Sequence, residues 1–309
     1  MSRIAVTGAS GFIGTVVTRR LLARGYRVSA LTRSSAARRG LQCDGAEVVS
    51  GSLADPGALR RLVETADAVV HCAGAVRGRS YGAFANVNVQ GAQNLLAALG
   101  DTAMPLVALS SLAAREPSLS HYARSKKAME AVLNTADAPA ERLILRPPAV
   151  YGPGDRELLP LFRAFERGFA PLPAPPEARV SLIFVEDLAD AMIAWLTQAN
   201  RRSGVFEIHD GQPRGYSWDE IIGIAQTLLH RRIRRIRIPG PALDSLAWGN
   251  AGLSRVLRYA PMLTPEKLQE LRHPDWVCDN APLQHVLDWQ PRIDLARGLE
   301  RTCGWRPAA

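Results

Sequence analysis

The stretch "VTGASGFIG", Val6 to Gly14, constrains this chain more than any other. It follows a short β-branched run, Ile4 to Val6, and opens a pattern of helical period from Phe12 to Arg24. Gly8 permits a tight turn, Gly11 lets the backbone approach a pyrophosphate, and Gly14 lets the helix pack closely on the strand. The first N–H groups of that helix have no intrahelical partner, so they offer themselves to an anion held in the loop. Ser10, Phe12 and Ile13 complete the loop. Its place between strand and helix, at the start of a βαβ pattern, predicts dinucleotide binding.

The N-terminal half continues the alternation. Strands are expected at Ile4 to Val6, Arg27 to Leu31, Glu47 to Ser50, Ala68 to His71, Leu106 to Leu109 and Arg142 to Leu145. Helical patterns lie between them at Phe12 to Arg24, Pro56 to Glu64, Tyr81 to Leu99 and Ser120 to Asn134. The expected fold class is α/β, a doubly wound parallel Rossmann sheet with a smaller C-terminal substrate-binding region. The dinucleotide domain is expected over residues 1–155, with returning strands near 178–212, and the lid over 156–177 and 213–309. After "RPPAVYGPGD" come a helix from Glu157 to Arg167, the Pro-rich "APLPAPPEAR" read as a connecting loop, and "VSLIFVEDLADAMIAWL" read as a strand entering a helix. "GVFEIHDG" reads as one more strand. "HRRIRRIRIPGP" sets five arginines among Ile233, Ile236 and Ile238. A short edge strand, isoleucines inward and arginines outward, accounts for it better than a surface for a membrane, a polyanion or an acidic substrate.

With 309 residues the chain is long enough for one large α/β domain and an appendage. Cys43, Cys72, Cys278 and Cys303 show no metal-like spacing, so they read as reduced thiols of a cytoplasmic protein, and no metal site is expected. The net charge of +9 is spread along a chain that is 47% hydrophobic, which does not argue for nucleic acid. Neither a leader peptide nor a run of about 18 apolar residues is present, so no integral membrane segment is expected.

"SHYARSK" places Tyr122 and Lys126 one helical turn apart, a phenol beside an ammonium. The pair gains meaning from its company. The T-G-x-x-G-x-x-G spacing, Tyr122-x-x-x-Lys126, "HCAGAV", "NVNVQGAQNLL", "LSSLAA", "RPPAVYGPGD", "FVEDLADA" and the C-terminal "LDWQPRIDLARGLERTCGW" follow one another in the order found in the extended short-chain dehydrogenase/reductase superfamily. The chain resembles that superfamily, the NAD-dependent epimerase/dehydratase family, over nearly its whole length.

The resemblance implies a Ser-Tyr-Lys mechanism. Tyr122 would exchange a proton with the substrate oxygen, Lys126 would favour the phenolate and bond the nicotinamide ribose, and a serine ending the fifth strand would hold the same oxygen. Ser110 and Ser111 both qualify, and Ser111 is favoured because the family's serine commonly closes such a pair. Cys72, Ala73 and Gly74, with Asn88 and Pro147, are implied to line the cofactor site. Tyr151 is expected to anchor a turn, and His121 to be surface polar.

The second strand ends "ALTRSSAARR" without the carboxylate that takes a ribose 2′-hydroxyl. Thr32, Arg33 and Ser34 suit a 2′-phosphate instead, with Arg38 and Arg39 in reserve, so NADP(H) is preferred and NAD(H) is the alternative. Ser52 stands where the family often has an aspartate contacting adenine, which leaves Leu53 to supply a backbone N–H. Arg146-Pro-Pro-Ala lacks the asparagine of nucleotide-sugar epimerases, and Val180 stands where their diphosphate-binding arginine belongs, with Arg179 one residue early and facing the other way. The expected activity is therefore hydride transfer between nicotinamide and a carbonyl or secondary alcohol on a mostly apolar small-molecule substrate. A nucleotide-sugar epimerase is the alternative, a non-catalytic dinucleotide-binding protein the second. The family resemblance adds a homodimer, through the long helices flanking the sheet, as an option.

Overall fold

A computed structural model describes residues 2–135, 141–172, 175, 177–237, 240–257 and 264–306 of the chain. It divides into two compact units, one of residues 1–146, 188–207 and 281–289, the other of residues 147–187, 208–280 and 290–309. In chain order the elements begin β1 (Arg3–Thr7), α1 (Phe12–Ala23), β2 (Arg27–Thr32), α2 (Ser35–Cys43), β3 (Glu47–Ser50) and α3 (Pro56–Val63). Next come β4 (Ala68–His71), α4 (Tyr81–Leu99), β5 (Leu106–Leu109), a 3₁₀ turn (Leu112–Arg115), α5 (His121–Leu133) and β6 (Arg142–Arg146). The second half holds β7 (Ala149–Tyr151), α6 (Leu159–Glu166), β8 (Phe169–Leu172), β9 (Arg179–Val180), β10 (Leu182–Phe184), α7 (Val185–Thr197) and β11 (Gly204–Glu207). It ends with β12 (Tyr216–Ser217), α8 (Trp218–Leu229), β13 (Arg234–Arg237), α9 (Gly240–Leu257), α10 (Pro265–Arg272), β14 (Asp275–Trp276), α11 (Ala281–Gln284) and α12 (Leu295–Cys303).

In the first unit a seven-stranded sheet has the order β11-β6-β5-β4-β1-β2-β3, and every pair in it is parallel. β4 ("AVVH") and β5 ("LVAL") are buried throughout, as central strands covered on both faces must be. Leu59, Leu62, Leu95, Leu106, Met129 and Leu133 fill the space between sheet and helices. Strand order runs outward from β1 in both directions, so the carboxyl ends of β1 and β4 border the crevice where such sheets bind ligands. Ser34, Asp55, Ser80 and Ser120 cap α2, α3, α4 and α5, each accepting from the backbone N–H three residues on. α1 has no such cap.

The six expected N-terminal strands and four helices are present to within a residue or two at their ends. α2 was not anticipated, because its nine residues, SAARRGLQC, carry a single buried apolar side chain, Leu41, and hence no apolar stripe.

The second unit is built from short sheets, β7 with β10, β8 with β13, and β12-β9-β14, around a core of Tyr151, Phe162, Phe165, Phe184, Leu299 and Trp305. Tyr151 ends β7 immediately before the turn that the Asp155 N–H closes on the Gly152 carbonyl at 3.0 Å. Its ring is fully buried against Phe162 and Phe184, with Gly298 beneath it, and its hydroxyl donates to the Asp294 carbonyl at 3.3 Å. The basic stretch forms the expected short strand, β13, which among the described residues pairs with β8 alone. Its isoleucines do not all face inward: Ile233 is buried, whereas Ile236 is 41% exposed and Arg235 is half-buried on Asp219. Positions 233 and 236 are an odd number apart, and strand faces alternate with period two. Ile238 lies outside the described residues, as do Pro173, Ala174 and Pro176 of the Pro-rich segment. No helix of the described residues is long and apolar enough to cross a membrane.

Candidate active site

The glycine loop forms as its residues require. Gly8 has φ +71°, and a Cβ there would stand 2.5 Å from the Ala73 nitrogen, so the turn after β1 touches the turn after β4. A Cβ on Gly14 would overlap the Gly8 carbonyl, which is how closely α1 approaches β1. Ser10 and Gly11 are exposed, Phe12 and Ile13 half-buried, and Gly11 N-caps α1 without a side-chain partner. The result is an open cradle of backbone N–H groups at a helix N-terminus, which fits a pyrophosphate.

The loop after β4 is tied down beside it. Asn88, fully buried on α4, accepts from the Ala75 N–H at 2.8 Å and donates to the Ala75 carbonyl and to Ser125 Oγ on α5. One amide thus joins the Cys72–Ala75 loop to the helix that carries Tyr122 and Lys126. Lys126 is 4% exposed, and its ammonium donates to the Leu109 carbonyl at the end of β5 at 2.8 Å. The same Nζ lies 3.0 Å from where a Gly74 Cβ would stand. Burial lowers its pKa from 10.5 to about 8, against the opposing pull of Cys72 and Glu130. Cys72 is pushed up to about 12 by burial, so it stays a thiol despite Lys126. His71 is held neutral, its pKa lowered to about 3 by burial and then by Lys126, while its Nδ1 shares a proton with Thr7 Oγ1 at 2.8 Å.

The two serines after β5 part company. Ser110 is buried and donates to Glu130 Oε1 at 2.6 Å, and the same carboxylate takes Arg146 Nε and Nη2 at 2.7 and 2.6 Å. Ser111 is half-buried and, among the described residues, only accepts, from the Ala113 N–H at 3.2 Å, leaving its own proton for another partner. Tyr122 is half-buried with its ring 6.0 Å from that of Phe84, and the 3₁₀ turn that Ser111 caps packs against α5. His121 rests edge-on to Tyr81. Ser111, Tyr122 and Lys126 thereby sit on the two elements that leave the carboxyl end of β5. Glu130 has no signal in the sequence beyond its i,i+4 step from Lys126, whereas His71 and Arg146 open the "HCAGAV" and "RPPAVYGPGD" motifs without a role assigned to either side chain.

At the end of β2, Arg33 is exposed with no hydrogen bond or ion pair among the described residues. Thr32 Oγ1 accepts from the Ser34 N–H at 3.2 Å, Ser34 caps α2, and Arg38 donates to Ser50. Ser52 closes its own turn by accepting from the Ala54 N–H, while Asn94 holds the Leu53 carbonyl at 2.8 Å. Pro147 is buried at the start of the second unit, directly after β6. In that unit the Arg179 guanidinium is consumed by the Arg214 and Gly215 carbonyls and Glu220. Among the described residues no group of three His, Cys, Asp or Glu side chains could hold a metal ion.

Known proteins align with this arrangement. Ceramide reductase of Caulobacter vibrioides is 35% identical over 306 residues, covering 99% of this chain and 95% of its own. The 2-alkyl-3-oxoalkanoate reductase of Stenotrophomonas maltophilia is 36% identical over 180 residues, 51% of this chain and 54% of its own. MoeE5, solved with UDP-glucuronic acid and NAD, has the same fold at a TM-score of 0.74 and 22% identity, over 99% of this chain and 98% of that one. Residues 4–208, from the first strand past the last strand of the parallel sheet, match the NAD dependent epimerase/dehydratase family, and the chain belongs to that family.

Proposed function

We propose that this protein is an NADPH-dependent reductase of a ketone on a long-chain, mostly apolar substrate, of the kind a ceramide skeleton presents. The observation that carries the reading is the convergence of Ser111, the Tyr122 helix and the buried Lys126 ammonium at the end of β5, beside the glycine cradle. The 35% identity to a ceramide reductase along the whole chain supports the substrate class. When bound, the reduced nicotinamide supplies the hydride that converts the carbonyl carbon to an alcohol carbon. Gly8, Gly11 and Gly14 with the α1 N-terminus hold the pyrophosphate, and the exposed Arg33 takes the 2′-phosphate. The Lys126 cation favours the ionised phenol, so Tyr122 gives its proton to the ketone oxygen at lower cost. Ser111 donates a hydrogen bond to the same oxygen and shares its developing charge. Arg179, held by two carbonyls and a carboxylate, is not offered to a sugar diphosphate, which favours the reductase over an epimerase. The four cysteines, all free thiols, fit the reducing cytoplasm that supplies NADPH.

The test follows NADPH consumption with a ceramide oxidised to a ketone on its sphingoid chain, beside UDP-glucose. The lipid ketone should consume NADPH, and Tyr122→Phe should lower turnover by about 10²–10⁴ while NADPH still binds. Interconversion of the sugar nucleotide without net NADPH consumption would refute the assignment.

A further inference from the structure

The basic stretch from Arg231 to Arg237 forms an unusual surface. β8 and β13 make a two-stranded parallel ribbon with Arg234 beside Phe169, Arg235 beside Ala170 and Ile236 beside Pro171. One face, with Ala170 and Leu172, enters the core of the second unit together with Ile233, which precedes β13. By the period of two, the other face carries Phe169, Pro171, Arg234 and Ile236. Phe169 is 46% and Ile236 41% exposed.

Cations surround these two apolar side chains. Arg231 donates to the Glu166 carbonyl and stands 3.2 Å from where a Cβ of Gly168, the residue before Phe169, would be. Arg167, Arg232 and Arg234 are exposed and have no ion pair among the described residues. Two acids lie in the same part of the unit: Asp219 pairs with Arg235, and Glu166, which accepts from the neutral Trp305 indole, keeps its charge, leaving Arg167, Arg231, Arg232 and Arg234 as a net excess of cations.

We infer that this outward face of the β8–β13 ribbon docks on anionic lipid bilayers. A bilayer interface meets both halves of the pattern, headgroup phosphates for the guanidinium groups and the acyl boundary for Phe169 and Ile236. A nucleic acid would satisfy the arginines and leave the apolar side chains in water. The inference goes beyond the reductase reading and does not depend on it, since docking is measured without turnover.

The experiment is co-sedimentation of the full chain with vesicles of phosphatidylcholine, with and without phosphatidylglycerol, at low and high salt. Binding should require phosphatidylglycerol and weaken with salt. R232Q/R234Q should reduce partitioning by about 25-fold, at about fivefold per arginine, and F169S/I236S should also release the protein; circular dichroism at the assay temperature checks that each variant is folded, since Phe169 and Ile236 are more than half covered and their loss lowers the melting temperature. R60Q/R61Q, which removes the same charge from exposed positions of α3 in the other unit, should bind like the parent. Failure to bind phosphatidylglycerol vesicles would overturn the inference. So would equal loss in R60Q/R61Q, which would indicate net charge alone. Vesicle binding indifferent to F169S/I236S and competed by a single-stranded oligonucleotide would also overturn it, in favour of a general polyanion site.

Discussion

Removal of Glu130 should cost this fold several kcal/mol. Its carboxylate is nearly inaccessible and accepts three short hydrogen bonds, from Ser110 Oγ on the strand-five side and from Nε and Nη2 of Arg146 at the end of β6. That bond to Glu130 is also the main reason the Arg146 guanidinium is raised above its ordinary pKa. Glu130→Ala leaves a guanidinium whose side chain is only 17% exposed without its counter-ion, and a buried hydroxyl without its acceptor. Stranding one member of a buried ion pair costs about 3–5 kcal/mol, and the partial exposure of Arg146 argues for the lower end. The orphaned hydroxyl adds about 1 kcal/mol. Urea unfolding of the whole chain should therefore register a loss of about 4 kcal/mol. Glu130→Ala/Arg146→Met should be more stable than Glu130→Ala alone, because most of the damage is the uncompensated charge. A loss below about 1 kcal/mol, the size expected of a surface pair, or additive effects in the double variant, would show that this contact does not hold α5 to the sheet.

Three further outcomes are expected. Gly14→Ala should abolish dinucleotide binding and destabilise the first unit, since its methyl would overlap the Gly8 carbonyl, a backbone atom that cannot step aside; calorimetric titration with NADP+ and a melting curve read both. Arg33→Ala should weaken NADPH by about tenfold, the scale of one charge-assisted contact, and leave NADH nearly unaffected; equal losses for both cofactors would remove Arg33 from the 2′-phosphate site. Lys126 titrates near 8 in the folded chain and near 10.5 when unfolded, so the unfolded chain binds more protons between those values. Its contribution to stability is full above about 10.5 and is lost as pH falls to 8. The stability difference between parent and Lys126→Met should thus move by up to about 3 kcal/mol in the parent's favour across that window, while turnover falls above pH 8 as the cation is lost.

What could be read from the residues alone follows a pattern. The central strands announced themselves because both of their faces are buried, leaving unbroken apolar runs, and α4 and α5 because each carries a capping serine and an apolar stripe. α2 and the short strands of the second unit lack such signals; two-residue β9 exists because β12 and β14 are there to pair with it on either side. Asn88 could be named but not weighed, since its worth lies in reaching Ala75 and Ser125 together.

The chain order of its residues by itself determined the nucleotide cradle and the Tyr–Lys pair, because a missing Cβ and a spacing of one helical turn act within a few residues of sequence. Tertiary structure alone decided that Ser110 donates to Glu130 while Ser111 only accepts, from Ala113, that burial brings the Lys126 ammonium down to about 8, and that Ile236 faces outward. Each of these depends on burial and on partners brought close by folding from remote parts of the chain.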